Sequence, residues 1–218
     1  MSSAAADLLV KHMIAQQSKA FFGYGPKGRA TALLQDRFAV FATELEGPGL
    51  MAALAADPFG RLAMRHINRL YVQATAEPLR RVAAERFGLT LGTVESDIDF
   101  DARLSLGIAV ADRPLPTAPA DAPAPAPLAE AVASALGTPA DVRLGPALLI
   151  AWAGAPSGIV PPDGGDPGET CAFLRDWHTF RVGLGERLKA AGKAGGLHPR
   201  GTFAALAGTG LIVGLLLH

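Results

Sequence analysis

The stretch LTLGTVESDIDFDARLSLGIAVAD, residues 89–112, decides how this chain folds. It opens with β-prone residues near Leu89–Ser96, passes through an acidic run, and returns to β-prone, apolar residues near Arg103–Ala111. Two such runs around a short polar connection predict a hairpin. Gly88 stands just before it and is the residue type that ends a helix in a left-handed cap. The helix it ends is expected from about Gly60 to Phe87. Its apolar stripe reads as Ile67, Leu70, Tyr71, Ala74, Leu79, Val82 and Ala83, with Arg65, Arg69, Arg80, Arg81, Glu85 and Arg86 mostly off it. Pro78 is expected to kink or split this helix, because proline removes a hydrogen bond from the helix interior.

Further toward the N-terminus, a weak helix is expected over Leu50–Ala56, after a Gly-Pro-Gly break at 47–49. Before it, Arg29–Leu34 and Phe38–Leu45 are β-prone and separated by Gln35-Asp36-Arg37, a connection of hairpin length. Residues 5–22 carry Leu8, Leu9, Met13, Ile14, Ala20 and Phe21 at helical spacing without Gly or Pro, and Gly23 follows. The order helix, hairpin, helix, hairpin gives an α+β class: two hairpins forming a small antiparallel sheet, with helices on one face.

Toward the C-terminus, Arg113–Pro127 (RPLPTAPADAPAPAP) holds six prolines among alanines and reads as an extended spacer that neither pairs in a sheet nor coils into a helix. The expected division is therefore 1–112, a spacer at 113–127, and a second α+β unit at 128–218. The second unit reads as a short helix (Leu128–Leu136), a strand (Val142–Ala153), a Pro/Gly loop (156–168), a helix (Glu169–Ala191) and a closing hairpin. GTVESDIDFDARLSLGIAV from Gly92 and GTFAALAGTGLIVGLLL from Gly201 can be laid together with a two-residue deletion, and GPKGRATALL faintly matches GPALLIAW. Two readings stay open: a degenerate internal duplication, or two hairpins that align because both are rich in Gly and Leu.

The last of these segments, Thr202–Leu217, carries no charge over 16 residues. A helical membrane span takes roughly 20 apolar residues, and Gly208-Thr209-Gly210 interrupts the run, so two short buried strands around a tight turn are expected. A membrane anchor is the alternative. The whole chain has 218 residues, with 20 basic and 20 acidic side chains. A net charge of zero supplies no field to draw nucleic acid or an anionic surface. Half the residues are hydrophobic, but Trp, Tyr and Phe number only 2, 2 and 10, so a core of small aliphatic side chains is expected. One cysteine, Cys171, forms no internal disulfide, and the first twenty residues lack a secretory pattern. The expected location is cytoplasmic.

Gly23, Gly25 and Gly28 fall in the spacing G-x-G-x-x-G. A dinucleotide cradle needs a strand entering the glycines and a helix leaving them, so that free amides and the helix dipole meet the phosphates. Here the order is reversed, and Pro26 removes one amide. A phosphate-binding loop is also excluded, because Lys27 is followed by Gly28 and Arg29 with no Ser or Thr for magnesium. The glycines read as a helix stop and a rigid turn that leaves Lys27 and Arg29 exposed, either solvated or facing a partner's carboxylates.

These residues resemble a known family. FFGYGPKGRATALLQDRFAVFATELEG (21–47), followed by a helix and VAAERFGLTLGTVESDIDFDARLSLGIAV (82–110), is similar to the MpsC-like family, small proteins of a sodium-translocating system that generates membrane potential. The likeness covers about residues 8–111, and its most specific part is Gly23–Lys27. It departs from the family's T-x-x-E lead into the second helix, which here reads GPGLMAALAADPFGR (47–61). The spacer and the second half lie outside it. The resemblance implies association with an ion-coupled membrane complex built from an antiporter-like subunit and a large zinc-containing partner used in inorganic carbon uptake. It carries over no catalytic residue.

Other candidate chemistry is local. Glu95, Asp97, Asp99 and Asp101 crowd seven residues, and the three alternating aspartates have the reach to converge on a hard cation, but the Gly and distant Glu of a calcium loop are missing. The expectation is a solvated hairpin loop, with partner docking next. His12, His66, His178, His198 and His218 lack zinc-site spacing. Cys171 and His178 sit two turns apart on one predicted helix, too far for a thiolate and its base, so Cys171 is expected in the core. Ser157 lacks a nucleophile elbow. Phe173, Trp177, Phe180 and Leu184 form a core-facing stripe at helical spacing, with Arg175 and Arg181 outside it; a contact surface around Trp177 and His178 is the alternative.

Two functions are thus expected to compete. The first is a non-enzymatic accessory subunit at the inner face of the cell membrane, binding partners through Tyr24, Lys27, Arg29, Asp97, Asp99 and Asp101, with no cofactor, metal or catalytic residue. The second is a soluble enzyme or ligand-binding protein in which the Gly23–Arg29 turn and the Asp97–Asp101 loop form a composite anion or metal site. Exposed sheet edges also favour self-association.

Overall fold

The computed structural model describes residues 30–45, 50–115, 118–162, 166–207 and 209–217. The helix expected over 5–22 and the turn bearing Tyr24, Lys27 and Arg29 lie outside the described residues. Among those described, strands β1 (Ala30–Gln35) and β2 (Phe38–Glu44) are followed by helices α1 (Leu50–Ala56) and α2 (Pro58–Phe87), then strands β3 (Leu91–Asp99) and β4 (Leu104–Ala111). The rest comprises β5 (Ala122–Pro123), α3 (Ala126–Leu136), β6 (Ala140–Leu144), β7 (Leu148–Gly154), α4 (Pro167–Ala194), β8 (Pro199–Ala207) and β9 (Gly210–Leu217).

Local chemistry sets the helix ends. Asp57 caps α2 by accepting the Gly60 amide at 2.6 Å, Pro58 occupies the first turn, and Gly88 closes the helix at φ 61°. Asp166 and Pro167 repeat that start on α4, where the aspartate accepts the Gly168 and Glu169 amides. Pro78 does not split α2, which runs unbroken from Pro58 to Phe87. The buried residues of α2 are Gly60, Met64, Arg65, Asn68, Val72, Ala76 and Ala83. The expected stripe was therefore rotated: Ile67 and Leu70 are 41% and 43% exposed, while Arg65 and Asn68 face inward.

The molecule is α+β with two antiparallel sheets, one ordered β1-β2-β4-β3 and the other β5-β6-β7-β9-β8. Leaving aside the two-residue β5, both halves run hairpin, helix, hairpin with the same strand order. Both closing hairpins follow a left-handed glycine, Gly88 or Gly196, and both show a register shift in their first strand, between Leu91 and Thr93 and between Pro199 and Gly201. These bulges set Gly92 against Arg200, one residue from the Gly92–Gly201 alignment, and GPALLIAW falls on β7, the counterpart of β2 and not of β1. The strand expected over Val142–Ala153 is two strands, β6 and β7, folded into a hairpin of its own.

Strand alternation distributes the apolar side chains over four layers. Phe38, Val40, Leu104, Leu106 and Ile108 from the first sheet meet Leu148, Ile150, Phe203, Ile212 and Leu216 from the second in one cluster between the sheets. On the outer face of the first sheet, Ala39, Phe41 and Ala109 pack with Ala83, Leu79 and Phe87 of α2. On the outer face of the second, Leu149, Val213 and Leu215 pack with Leu128 and Val132 of α3 and Trp177, Leu184 and Leu188 of α4. Helices thus cover one face of each sheet, and the other faces cover each other. Because β7 and β9 are buried on both faces, their sequences read as continuous apolar runs. The uncharged segment from Thr202 lies in β8 and β9, and among the described residues no helix is long and apolar enough to cross a membrane.

The proline-rich stretch does take part in the fold. Ala122 and Pro123 pair with Leu144 and Arg143 of β6, and the helix starts at Ala126. The edge of a sheet tolerates proline, because an outward-facing position needs no donor. Cys171 is exposed and not in the core.

Candidate functional site

β3 and β8 are edge strands of different sheets, and the acidic run joins them. The strand continues past Ser96 to Asp99, so Asp97 and Asp99 lie on strand backbone and are buried, 3% and 4% exposed, instead of forming a solvated loop. Asp97 Oδ1 accepts Arg65 Nη1 at 2.6 Å and the Ile98 amide at 2.8 Å. Its Oδ2 accepts Arg181 Nε at 2.5 Å and the Ala204 amide at 2.9 Å. Two residues on, Asp99 Oδ2 accepts the amide and hydroxyl of Thr202 at 2.8 and 3.0 Å, while Oδ1 accepts the amides of Asp101 and Ala102 at 3.1 and 3.0 Å. The two carboxylates therefore take the amides of Thr202 and Ala204, two outward-facing donors of an edge strand.

Helices from both outer layers reach this seam. Arg65 comes from α2 and also donates through Nε to His178 Nδ1 at 3.1 Å. Arg181 comes from α4 and donates to the Thr202 carbonyl at 2.7 Å. Gly185, one turn after Arg181, makes room: a Cβ there would stand 2.7 Å from Arg181 Nη1. Asn68 of α2 donates to the Asp97 carbonyl at 3.0 Å and accepts the Ser105 hydroxyl at 2.9 Å, binding β3 and β4 to the helix. Phe100 lies beneath both Arg61 and Arg65, with guanidinium carbons 5.4 and 5.2 Å from its ring centre, and meets His178 edge-on.

The electrostatics follow from burial and pairing. Burial lowers the pKa of Arg65 against the opposing pull of Asp97. Burial also disfavours the charge on Asp99, but the Ala102 and Thr202 amides, with Arg181 and Lys189, outweigh it and hold the carboxyl below its ordinary value. His178 is pushed down to about 4, first by burial and then by Arg65 and Arg61. A neutral ring is what the Arg65 hydrogen bond requires, since Nδ1 must accept.

The arrangement brings Asp97 and Asp99 together around guanidinium, hydroxyl and amide donors. All four lone-pair directions of Asp97 meet donors, and among the described residues no group of three or more His, Cys, Asp or Glu side chains is placed to hold a metal ion. Asp101 stays at the surface, paired with Lys189 at 3.3 Å. Arg181, expected outside the α4 stripe, is 3% exposed, and Arg65 is 6% exposed. A small cavity of about 100 Å³ opens beside the seam, with Arg69, Glu95, Ser96, Phe173 and Trp177 among its walls. Burial raises the pKa of Glu95 there, opposed by Arg69.

A second concavity lies outside the seam. Residues of the N-terminal halves of α2 and α4 line a groove of about 910 Å³. Phe59, Leu62, His66 and Leu70 line one wall, and Pro167, Cys171 and Leu174 line the other. Phe59 is 81% exposed. Arg69 also lines it, with its guanidinium carbon 5.2 Å from the centre of the Phe173 ring. No protein-family profile, curated protein or solved structure matches the chain.

Proposed function

We propose that this chain is a non-enzymatic accessory subunit of an ion-coupled membrane transport complex, acting in membrane-potential generation or inorganic carbon uptake. It sits at the cytoplasmic face of the cell membrane and is held there by protein partners, an antiporter-like subunit and a large zinc-containing one. The observation that carries this reading is the placement of exposed apolar surface. Phe59, Ile67 and Leu70 stand exposed on one stretch of α2 in an otherwise neutral molecule, and a clustered apolar patch marks an interaction surface more often than a solvent face.

Two further features support it. The apolar C-terminal segment packs into the second sheet, with Phe203, Val213 and Leu215 at 0% exposure, which favours attachment through partners over an anchor made by that segment. The composite ligand site loses Asp97 and Asp99, whose oxygens already hold two arginines and two edge-strand amides. The resemblance over residues 8–111 names the company.

The test is affinity purification of tagged chain from detergent-solubilised membranes of its native host, with co-purifying proteins identified by mass spectrometry. Multi-span ion-transport subunits in stoichiometric amount are expected. Recovery of soluble proteins alone would overturn the proposal.

A further inference from the structure

We propose that the small cavity beside the seam binds a zwitterion, an α-amino acid of the size of alanine, serine or valine, with its ammonium at Glu95 and its carboxylate at Arg69 and the Leu206 amide. The seam itself points there. Along an antiparallel edge every second amide faces outward, and on β8 those of Thr202 and Ala204 go to Asp99 and Asp97. Each step back by two residues on β3 is matched by a step forward of two on β8, so the next rung of this series would join Glu95 to Leu206. That rung is not made. Among the described residues no hydrogen bond links the two, and both line the cavity of about 100 Å³.

The charges left over at the cavity select the ligand. Arg69 lies over the Phe173 ring and, among the described residues, donates to no acceptor. Glu95 meets the adjacent Ser96 amide and no cation in contact; burial raises its pKa against the opposing pull of Arg69 and Arg80. The remaining polar walls are occupied, Arg65 by Asp97 and His178, and Asn68 by the Asp97 carbonyl and Ser105. One guanidinium and one carboxylate thus face the same space, both half-buried and not paired with each other. A ligand with a single charge would satisfy one of them and leave the other bare, whereas a zwitterion meets both. Ile98, Leu174 and Trp177 supply an apolar wall for its side chain. Size narrows the class further: a cavity of about 150 Å³ takes a benzene ring, so about 100 Å³ suits a molecule no larger than a small amino acid.

The experiment titrates the full chain with L-alanine, L-serine and L-valine by calorimetry, alongside propionate and ethylamine, which are alanine without its ammonium and without its carboxylate. Saturable binding of alanine is expected. Propionate and ethylamine should each bind at least about tenfold more weakly, since each forfeits the charge-assisted hydrogen bonds at one end. Saturating alanine should also raise the thermal midpoint, because the ligand binds only the folded chain. Glu95→Gln and Arg69→Gln should each weaken alanine binding at least about tenfold, while Glu130→Gln, at an exposed position on α3, should leave it unchanged. Neither cavity residue has a side-chain partner to lose, so urea midpoints of both variants should stay near that of the unaltered protein.

Absence of saturable binding with all three amino acids would overturn the proposal and leave the third rung closed by water alone. So would equal affinity for alanine and either single-charge analogue, or alanine binding untouched by either substitution at the cavity. The site is independent of the accessory-subunit reading: co-purification tests the partners, and titration of the isolated chain tests the cavity.

Discussion

Asp97 Oδ2 accepts the amide of Ala204 at 2.9 Å across the gap between two sheets, so a side chain does there what a strand ladder does elsewhere. The companion bond from the Thr202 amide to Asp99 is 2.8 Å, and the contacts 97–204 and 99–202 run in antiparallel sense. An edge strand left with bare donors invites other chains to pair. β3 blocks β8 by offering carboxylates and not its own backbone, while Arg65 and Arg181 balance the charge from either side.

Asp97→Ala should therefore cost far more than a surface substitution. It removes the acceptor for two arginines that are 6% and 3% exposed and for one edge amide. Breaking a buried ion pair from one side costs about 3–5 kcal/mol, since the partners stay buried without compensation. Urea denaturation should show a loss of that order; a loss under about 1 kcal/mol would mean that the seam contributes little to holding the sheets together.

The tightness of the inter-sheet layer is testable at glycine. A Cβ on Gly214 would stand 2.3 Å from Phe203 Cζ and 2.5 Å from the Leu149 carbonyl oxygen, and that backbone atom cannot swing away. Gly154, at the end of the neighbouring strand, has nothing within 4 Å of the same point. Gly214→Ala should lower stability by about 1–3 kcal/mol or more, whereas Gly154→Ala should change it by no more than about 0.5 kcal/mol. Thermal melts of the two variants side by side check this, and equal shifts would contradict the packing described.

Acid should loosen the seam in two stages. Folded His178 titrates at about 4 against an ordinary 6.5, because burial and the charges of Arg65 and Arg61 oppose its protonation. As pH falls from 6.5 toward 4 the unfolded chain takes up this proton first, so the folded state loses stability across that window. With the ring partly exposed, solvent screening reduces the effect to about 1–2 kcal/mol. Asp99, held below its ordinary 3.8, stabilises the fold above that pH and ceases to do so on further acidification. His178→Gln keeps an acceptor for Arg65 without a titratable ring, and urea midpoints at pH 7 and pH 5 should differ less for it than for the unaltered protein.

The sequence made three of the hairpins legible because their signals are local: Gly88 caps a helix, and alternation or a continuous apolar run marks the strands. β6 and β7 read as one strand because only Gly145-Pro146-Ala147 separates them. The paired layers were also within reach, since β9 is apolar on both faces and has to be covered on both. The seam was not. A run of four carboxylates in seven residues has the composition of a solvated turn, and only the alternation of Ser96, Ile98 and Phe100 with Asp97, Asp99 and Asp101 hints that the strand runs on. Arg65 and Arg181 carry no mark distinguishing them from Arg69 and Arg175, because what buries them is a carboxylate more than thirty residues away in the chain. The rotated stripe on α2 has the same cause: Asn68 faces inward to bind the Asp97 carbonyl and Ser105, which leaves Ile67 and Leu70 outside.

The dependence of Arg181 on Gly185 gives the most specific test of the seam. Both residues lie on the buried side of α4, and the guanidinium folds back over Gly185, where a Cβ would approach Nη1 to 2.7 Å and the Thr202 hydroxyl to 3.2 Å. Alanine is otherwise the better helix former by about 1 kcal/mol, so in the absence of this contact Gly185→Ala would stabilise the protein. With Arg181 in place it should destabilise, because the guanidinium must move off Asp97 and the Thr202 carbonyl, and each charge-assisted hydrogen bond there is worth about 1.5–3 kcal/mol. In an Arg181→Met background the methionine has no charge to hold at Asp97, and the same glycine change should become neutral or favourable. A double-mutant cycle by urea denaturation should return a coupling of about 1–3 kcal/mol between the two sites, and additivity within about 0.5 kcal/mol would show that the glycine is not what lets the arginine reach the carboxylate.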